Sequence, residues 1–297
     1  MNILSQRDQA IKKIEAFFDD GSFINELNER VKIQTDSRSP EKISESYKYL
    51  NENITPYLTN LGFECQTYDN HIKNAGPLLI ACRIEDKNLP TIFSYGHGDV
   101  VPGYDEGWNP GLMPWKIIKK ENKYYGRGTA DNKGQHSINL AALKMILQTR
   151  KKLGFNFKLL LETGEEIGSP GLKEFCMKHK ETLSSDFLIA SDGPRINLNT
   201  PTIYLGTRGV INFTMELKLR DGGHHSGNWG GLLANPAIIL SHAISTIVSR
   251  NGEILIKDLK AKPLSNSIRD AISKLKHDGG ENSPTIDPNW GEPGYTK

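Results

Sequence analysis

The stretch Leu159-Leu160-Leu161-Glu162-Thr163-Gly164-Glu165-Glu166-Ile167-Gly168 constrains the fold more than any other part of the chain. An apolar run this short reads as a buried strand, and it stops at two adjacent carboxylates set among glycines. Such a pair repels itself unless a cation or a proton lies between its members, so the strand's end needs a polar partner. Open α/β sheets place their ligand sites in that position, in the crevice beyond the carboxyl ends of the strands. Three other segments repeat the layout. Thr91 to Tyr95 runs into Gly96-His97-Gly98-Asp99, Tyr124-Tyr125 leads through Gly126-Arg127-Gly128 to Asp131, and Phe187 to Ala190 ends in Ser191-Asp192-Gly193. One histidine and several carboxylates, each following an apolar or aromatic segment, predict a single polar cluster at one end of a sheet.

The remaining periodicity supplies the layers around that sheet. Ile11, Ile14, Phe17 and Phe18, then Phe23, Ile24, Leu27 and Val31, recur at helical spacing on either side of Asp19-Asp20-Gly21. Pro40 opens a further helix through Ile43, Tyr47, Leu50, Ile54 and Leu58, with Pro56 expected to kink its end. Residues 63–68 and 78–84 read as strands. Ile138, Ala141, Ala142, Met145 and Ile146 form one face of a helix beginning soon after Asp131, and helix 171–180 precedes strand 187–190. After Asp192 the character changes. Gly206-Thr207-Arg208-Gly209 opens Val210 to Leu219, whose period-two alternation predicts a half-buried strand of a second domain. A glycine-rich loop around His224-His225-Ser226-Gly227, a helix 236–248, a short strand 253–256 and a helix 265–275 follow.

Each candidate has an ordinary reading beside its chemical one. His97 and Asp99 are two apart, so in extended backbone they project to one side, where a carboxylate can orient a metal-binding imidazole. Asp131 can equally cap the next helix, and Asp192 in Ser-Asp-Gly can be a turn residue. Taken together, one histidine and three or more carboxylates on successive strand ends form the nitrogen and oxygen donor set that suits zinc or another first-row dication. None of the three cysteines, Cys65, Cys82 and Cys176, lies in these motifs, so the set resembles a catalytic site more than a structural zinc site.

The ordered motifs Ser-Tyr-Gly-His-Gly-Asp-Val-Val-Pro, Tyr-Gly-Arg-Gly-Thr-Ala-Asp-Asn-Lys-Gly, Glu-Thr-Gly-Glu-Glu-Ile-Gly-Ser and Ser-Asp-Gly resemble the dizinc metallopeptidase family of aminoacylases, carboxypeptidase G, succinyl-diaminopimelate desuccinylase and carnosine-type dipeptidases. The resemblance spans roughly residues 25–297 and is strongest to the dipeptidase branch. It implies an α/β fold, a zinc-peptidase-like catalytic domain with a mixed sheet flanked by helices, followed by part of an α+β lid and dimerisation domain. Residues 1–205 would be the N-terminal part of the first and 206–297 the partial lid. It further implies that His97 and Asp192 bind one zinc, Asp131 bridges, Glu166 binds the second, Glu165 is the general base and Asp99 orients His97. Cobalt or manganese could replace the two zinc ions of a full-length subunit. A cis peptide after the bridging aspartate, here Asp131-Asn132, is a common feature of the family. His225, by its match to the lid motif, would reach across a homodimer and stabilise an oxyanion in the partner's site. His71, His136, His179, His242 and His277 fit no motif and are expected at the surface or in packing.

The implied activity is zinc-dependent hydrolysis of an amide bond in a dipeptide or a small N-acyl amino acid, the deacylase form being an alternative. The family's second zinc takes a further histidine near the C-terminus, and the last histidine here is His277 in a lid-like polar segment. The resemblance therefore implies a C-terminally truncated copy that lacks the remainder of the catalytic domain, and a catalytically incomplete metal-binding or dimerising fragment is the rival expectation. Lys+Arg 37 against Asp+Glu 35 leaves a formal charge of +2, without the basic footprint of a nucleic-acid or anionic-membrane binder. The charged N-terminus lacks a signal-peptide pattern and no segment reaches membrane-spanning length, so a cytoplasmic protein with reduced thiols is expected.

Overall fold

A five-stranded sheet organises the first of two compact units, Met1–Gly193 and Pro194–Lys297. The computed structural model describes residues 5–193, 202, 204, 209–260, 262–275, 284–285 and 287–292. Helix α1 (Gln6–Asp19) is capped by Ser5, whose hydroxyl accepts from the Asp8 N–H at 3.1 Å. Helix α2 (Ser22–Lys32) buries Leu27, Arg30 and Val31. The segment opened by Pro40 runs through a short 3₁₀ turn into α3 (Ile43–Lys48), a π-helical stretch Tyr49–Ile54 and α4 (Thr55–Asn60). The wider π turn ends just before Pro56, where a ring without an N–H cannot keep the ordinary ladder.

Strands β1 (Glu64–Tyr68), β2 (Leu78–Arg83) and β3 (Thr91–His97) are followed by the small hairpin β4 (Ile118–Lys120) and β5 (Lys123–Tyr125). Helix α5 (Lys133–Arg150), β6 (Asn156–Glu162), helices α6 (Leu172–Lys178) and α7 (Lys180–Leu183), and β7 (Phe187–Ala190) complete the unit. The sheet order is β1-β2-β6-β3-β7. Its first two pairings are antiparallel, and β6, β3 and β7 are parallel, so the expected mixed sheet is present.

The apolar run is buried on both faces of β6. Leu159 and Leu161 join Tyr49, Leu50, Ile54, Leu58, Leu79, Ala81, Leu140 and Leu143 on one side, while Leu160 joins Leu78, Ile80, Phe175 and Leu183 on the other. A strand covered by helices on both faces reads as a continuous apolar run rather than an alternation. The helical face expected from Ile138, Ala141, Ala142, Met145 and Ile146 is partly rotated: Ala141 and Met145 are buried as expected, Ile138 is 59% exposed and Ala142 is exposed, and Leu140 and Leu143 complete the buried face.

In the second unit the described elements are α8 (Ser226–Trp229), α9 (Pro236–Ile247), a 3₁₀ turn Lys257–Leu259, α10 (Asn266–Ser273) and an isolated bridge between Val248 and Ile254. The strand expected over Val210–Leu219 has no ladder partner among the described residues, and Val210 is 80% exposed. Alternation produces a strand only where a neighbouring strand accepts its backbone hydrogen bonds. The strand expected at 253–256 is reduced to the bridge at Ile254. Gly206, Thr207, Arg208 and His277 lie outside the described residues.

Candidate metal centre

Strand register brings the strand-end residues together. His97 pairs with Glu162 across β3 and β6, and Tyr95 pairs with Ala190 across β3 and β7. Carrying the second register two residues further sets Asp192 beside His97. His97 and Asp99 are fully buried, and Gly98 between them allows the backbone to lie against Tyr49: a Cβ at Gly98 would sit 2.6 Å from the Tyr49 ring. One nitrogen of the His97 ring, Nδ1, lies 3.3 Å from Asp99 Oδ1 and 3.1 Å from the Asp99 carbonyl oxygen. The other, Nε2, lies 3.0 Å from Asp131 Oδ1 and 3.8 Å from both Glu165 Oε2 and Asp192 Oδ2. His97, Asp131 and Asp192 each offer a donor atom within 4.8 Å of the others, the one such group among the described residues.

Asp131 does not cap the following helix. Helix α5 begins after Asn132, and Asp131 sends its carboxylate to His97. Asn132 occupies the capping position yet makes no side-chain cap bond. Its Oδ1 accepts from the His97 N–H at 3.2 Å, and its Nδ2 donates to the Ser191 carbonyl at 2.7 Å. The Asp131-Asn132 peptide is cis, as the resemblance implied.

Asp99 reaches further than His97 alone. Its Oδ1 accepts from the Glu165 N–H at 3.2 Å and its Oδ2 from the Glu166 N–H at 3.1 Å, so one buried carboxylate aligns both the imidazole and the turn carrying the adjacent glutamates. Glu166 stands outside the three-donor group, and Asp131 is its strongest charged neighbour.

The electrostatics follow from this crowding. Burial alone would lower the His97 pKa, but hydrogen bonds to Asp131 and Asp99 outweigh it and push it up to about 11. That bond to His97 holds the Asp131 carboxyl below its usual range. Burial raises Glu165 and Glu166, with nearby carboxylates adding to the effect. Several carboxylates crowded around one imidazole make this a region of negative potential.

Sequence reasoning missed a second layer behind these groups. Glu162 is buried and accepts from the Tyr95 hydroxyl at 2.5 Å and the Ser169 hydroxyl at 2.8 Å. Lys133, fully buried and pushed down to about 7 by that burial, donates to the Arg30 and Ile33 carbonyls at 3.0 and 2.7 Å. His136, expected to be a surface or packing residue, is a buried network member. Its Nε2 meets the Tyr49 hydroxyl at 2.5 Å and its Nδ1 meets Asn132 Oδ1 at 3.2 Å. The i, i+4 spacing of Asn132 and His136 was the available signal.

In the second unit, His225 is exposed and occupies the capping position of α8, its Nδ1 accepting from the Gly227 N–H at 3.1 Å. In the neutral ring this leaves the hydrogen on Nε2. The neighbouring His224 packs edge-on against Trp229.

A sheet whose parallel strand ends gather one histidine and several carboxylates has the donors to hold a divalent metal ion. The sequence model of peptidase family M20/M25/M40 matches residues 93–292, and the chain belongs to that family. Beta-Ala-His dipeptidase of Mus musculus is 32% identical over 246 residues, covering 79% of this chain and 50% of that protein. Cysteinylglycine-S-conjugate dipeptidase of Corynebacterium striatum is 26% identical over 236 residues, covering 78% and 50%. The crystal structure of human carnosine dipeptidase 1 aligns with a TM-score of 0.72 at 27% identity, over 91% of this chain and 59% of that one. The chain spans about half the length of the curated relatives it matches.

Proposed function

We propose that this chain carries the metal site of a dipeptidase that hydrolyses the amide bond of a dipeptide with the help of zinc. The observation that carries the reading is the convergence of His97, Asp131 and Asp192 within 4.8 Å, with Glu165 Oε2 3.8 Å from His97 Nε2. The donors fit the ion: all are nitrogen or carboxylate oxygen, and His97 has a carboxylate on each side of its ring, one free to share a cation and one fixing its orientation. In this reading His97, Asp131 and Asp192 would hold one ion, and Asp131 with Glu166 would hold a second. Cobalt or manganese suits the same donors. When bound, such ions supply Lewis acidity to the amide carbonyl and make water a stronger acid. Glu165 Oε2 takes the proton of the attacking water and returns it to the departing amine nitrogen, a role favoured by the raised pKa that burial gives it.

Residues 1–205 form the catalytic part in this proposal and 206–297 part of a lid and homodimer contact. His225, whose Nδ1 accepts from the Gly227 N–H and so leaves Nε2 as the donor of its neutral ring, serves the oxyanion in the partner's site. The relatives' names favour a dipeptide over an N-acyl amino acid as substrate. A cytoplasmic location accords with three unpaired cysteines, and no helix among the described residues is long and apolar enough to cross a membrane.

A specific observation favours a second reading for residues 1–297 by themselves. Only one three-donor group occurs among the described residues, whereas a catalytic zinc usually has three protein ligands. On this second reading residues 1–297 bind about one zinc tightly and a second weakly, and turn over little. Equilibrium dialysis with zinc, followed by a dipeptide panel including β-Ala-His and Cys-Gly, separates the cases. A chain that binds no zinc overturns the metal site; two tight ions with rapid hydrolysis overturn the second reading.

A further inference from the structure

We infer that three side-chain amides at the start of α5, those of Asn132, Gln135 and Asn139, act as a clamp that positions Asp192 against His97. The inference rests on the metal reading above. Asp192 lies beyond the last residue of β7, Ala190, so ladder hydrogen bonds do not fix it. The residues on either side of it are fixed from α5 instead. Asn132 Nδ2 donates to the Ser191 carbonyl at 2.7 Å, Asn139 Nδ2 donates to the Ser191 hydroxyl at 2.7 Å, and Gln135 Nε2 donates to the Gly193 carbonyl at 2.9 Å. Asp192 is thus held at both ends by a helix rather than by its own strand.

The clamp is referenced to the histidine. The same Asn132 amide that donates to Ser191 accepts the His97 N–H through Oδ1, so one planar group spans the gap between β3 and the end of β7. The direction of that amide is set from behind. Its Nδ2 also donates to Gln135 Oε1 at 2.7 Å, which leaves Oδ1 as the acceptor for His136 Nδ1, whose Nε2 then accepts from Tyr49. Every donor in this chain of contacts has an acceptor, and Asn132, His136 and Tyr49 are buried.

The local chemistry supports a positional role. Asparagine is among the best helix caps, yet Asn132 makes no cap bond in the capping position. Its hydrogen-bonding capacity is directed to the two ligand-bearing segments. Gln135 and Asn139 lie one and two turns along the helix on the same side, as spacings of three and four residues require.

The test uses residues 1–297 with Co2+ as the probe, read by visible absorption and calorimetry. Asn139→Leu removes the donor to Ser191, and Gln135→Met removes both the donor to Gly193 and the acceptor of the Asn132 amide; each change is made at nearly constant size and touches no proposed ligand. Ser191→Ala removes the acceptor of the Asn139 bond from the loop side and leaves the helix unchanged. Each should weaken Co2+ binding about tenfold and alter the absorption bands. The metal-free melting temperature should shift by no more than about 2 °C. Asn139→Leu combined with Ser191→Ala should bind Co2+ no more weakly than the worse single variant, because both remove one bond. Unchanged Co2+ affinity and spectrum in Gln135→Met and Ser191→Ala overturn the clamp while leaving the metal site intact. A parent chain that binds no Co2+ overturns the metal reading and the clamp with it.

Discussion

At the scale of single residues, the centre separates groups that would hold an ion from a group that would move a proton. In a form that turns over, Glu165→Gln should keep its metal and lose turnover by orders of magnitude, about 10²–10⁴-fold for a removed proton carrier. Metal analysis of the purified variant checks this, and loss of metal would place Glu165 among the ligands. Asp131→Ala should instead release metal, because Asp131 is the closest carboxylate to His97 Nε2 at 3.0 Å. Full retention of metal by that variant would remove Asp131 from the ligand set. The strand-end acids and His97 were legible because an apolar run that stops at a charge is visible in one dimension. Asn132, His136 and Tyr49 were not. Nothing in the letters shows a capping residue turning its amide away from its own helix, or a histidine on a helix meeting a tyrosine from a distant one.

At the scale of elements, two turns can be tested for what they hold. Burial alone would raise the Glu85 pKa, but the N–H groups of Leu153 and Gly154, at 2.7 and 2.9 Å, and the Arg83 guanidinium outweigh it and leave it lowered. A depressed carboxyl contributes stability above its unfolded pKa, and that contribution disappears as pH falls through the folded value. Glu85→Gln should therefore lower stability at pH 7, by up to about 1 kcal/mol after solvent screening, and by less at pH 3, measured by urea unfolding at both. An equal loss at both pH values would sink the idea. Gly134 sits in the first turn of α5, and a Cβ there would overlap the Thr129 carbonyl oxygen. Gly134→Ala should move the loop carrying Asp131 and weaken metal binding along with thermal stability, whereas a variant with unchanged zinc affinity would show that the loop adapts. Most helices and strands of the first unit were legible from their apolar periodicity, even where, as in α1 and β7, the pattern is not buried. Val210–Leu219 alternates as regularly but has no ladder partner among the described residues, since strand formation depends on a neighbour that local sequence does not specify.

At the scale of the whole molecule, binding at the centre should couple to folding. Zinc held by the native arrangement alone stabilises it by mass action, about 2.7 kcal/mol at a free concentration of 100 times Kd. Thermal unfolding with and without zinc should show a concentration-dependent rise in Tm; a Tm indifferent to zinc would mean that the ion also binds the unfolded chain or does not bind. If His225 serves a partner's site, mixing inactive His225→Ala with inactive Glu165→Gln subunits of an active form should restore part of the activity after subunit exchange. No recovery in demonstrated heterodimers would confine His225 to its own subunit. The sheet order adds a consequence in time. Thr91 pairs with Asn156 and Ile92 with Phe187, so the parallel strands that carry the centre meet only after long loops have closed. During refolding in cobalt, the chain should acquire helix signal before it acquires colour, and the colour would serve as a clock for the last long-range closure.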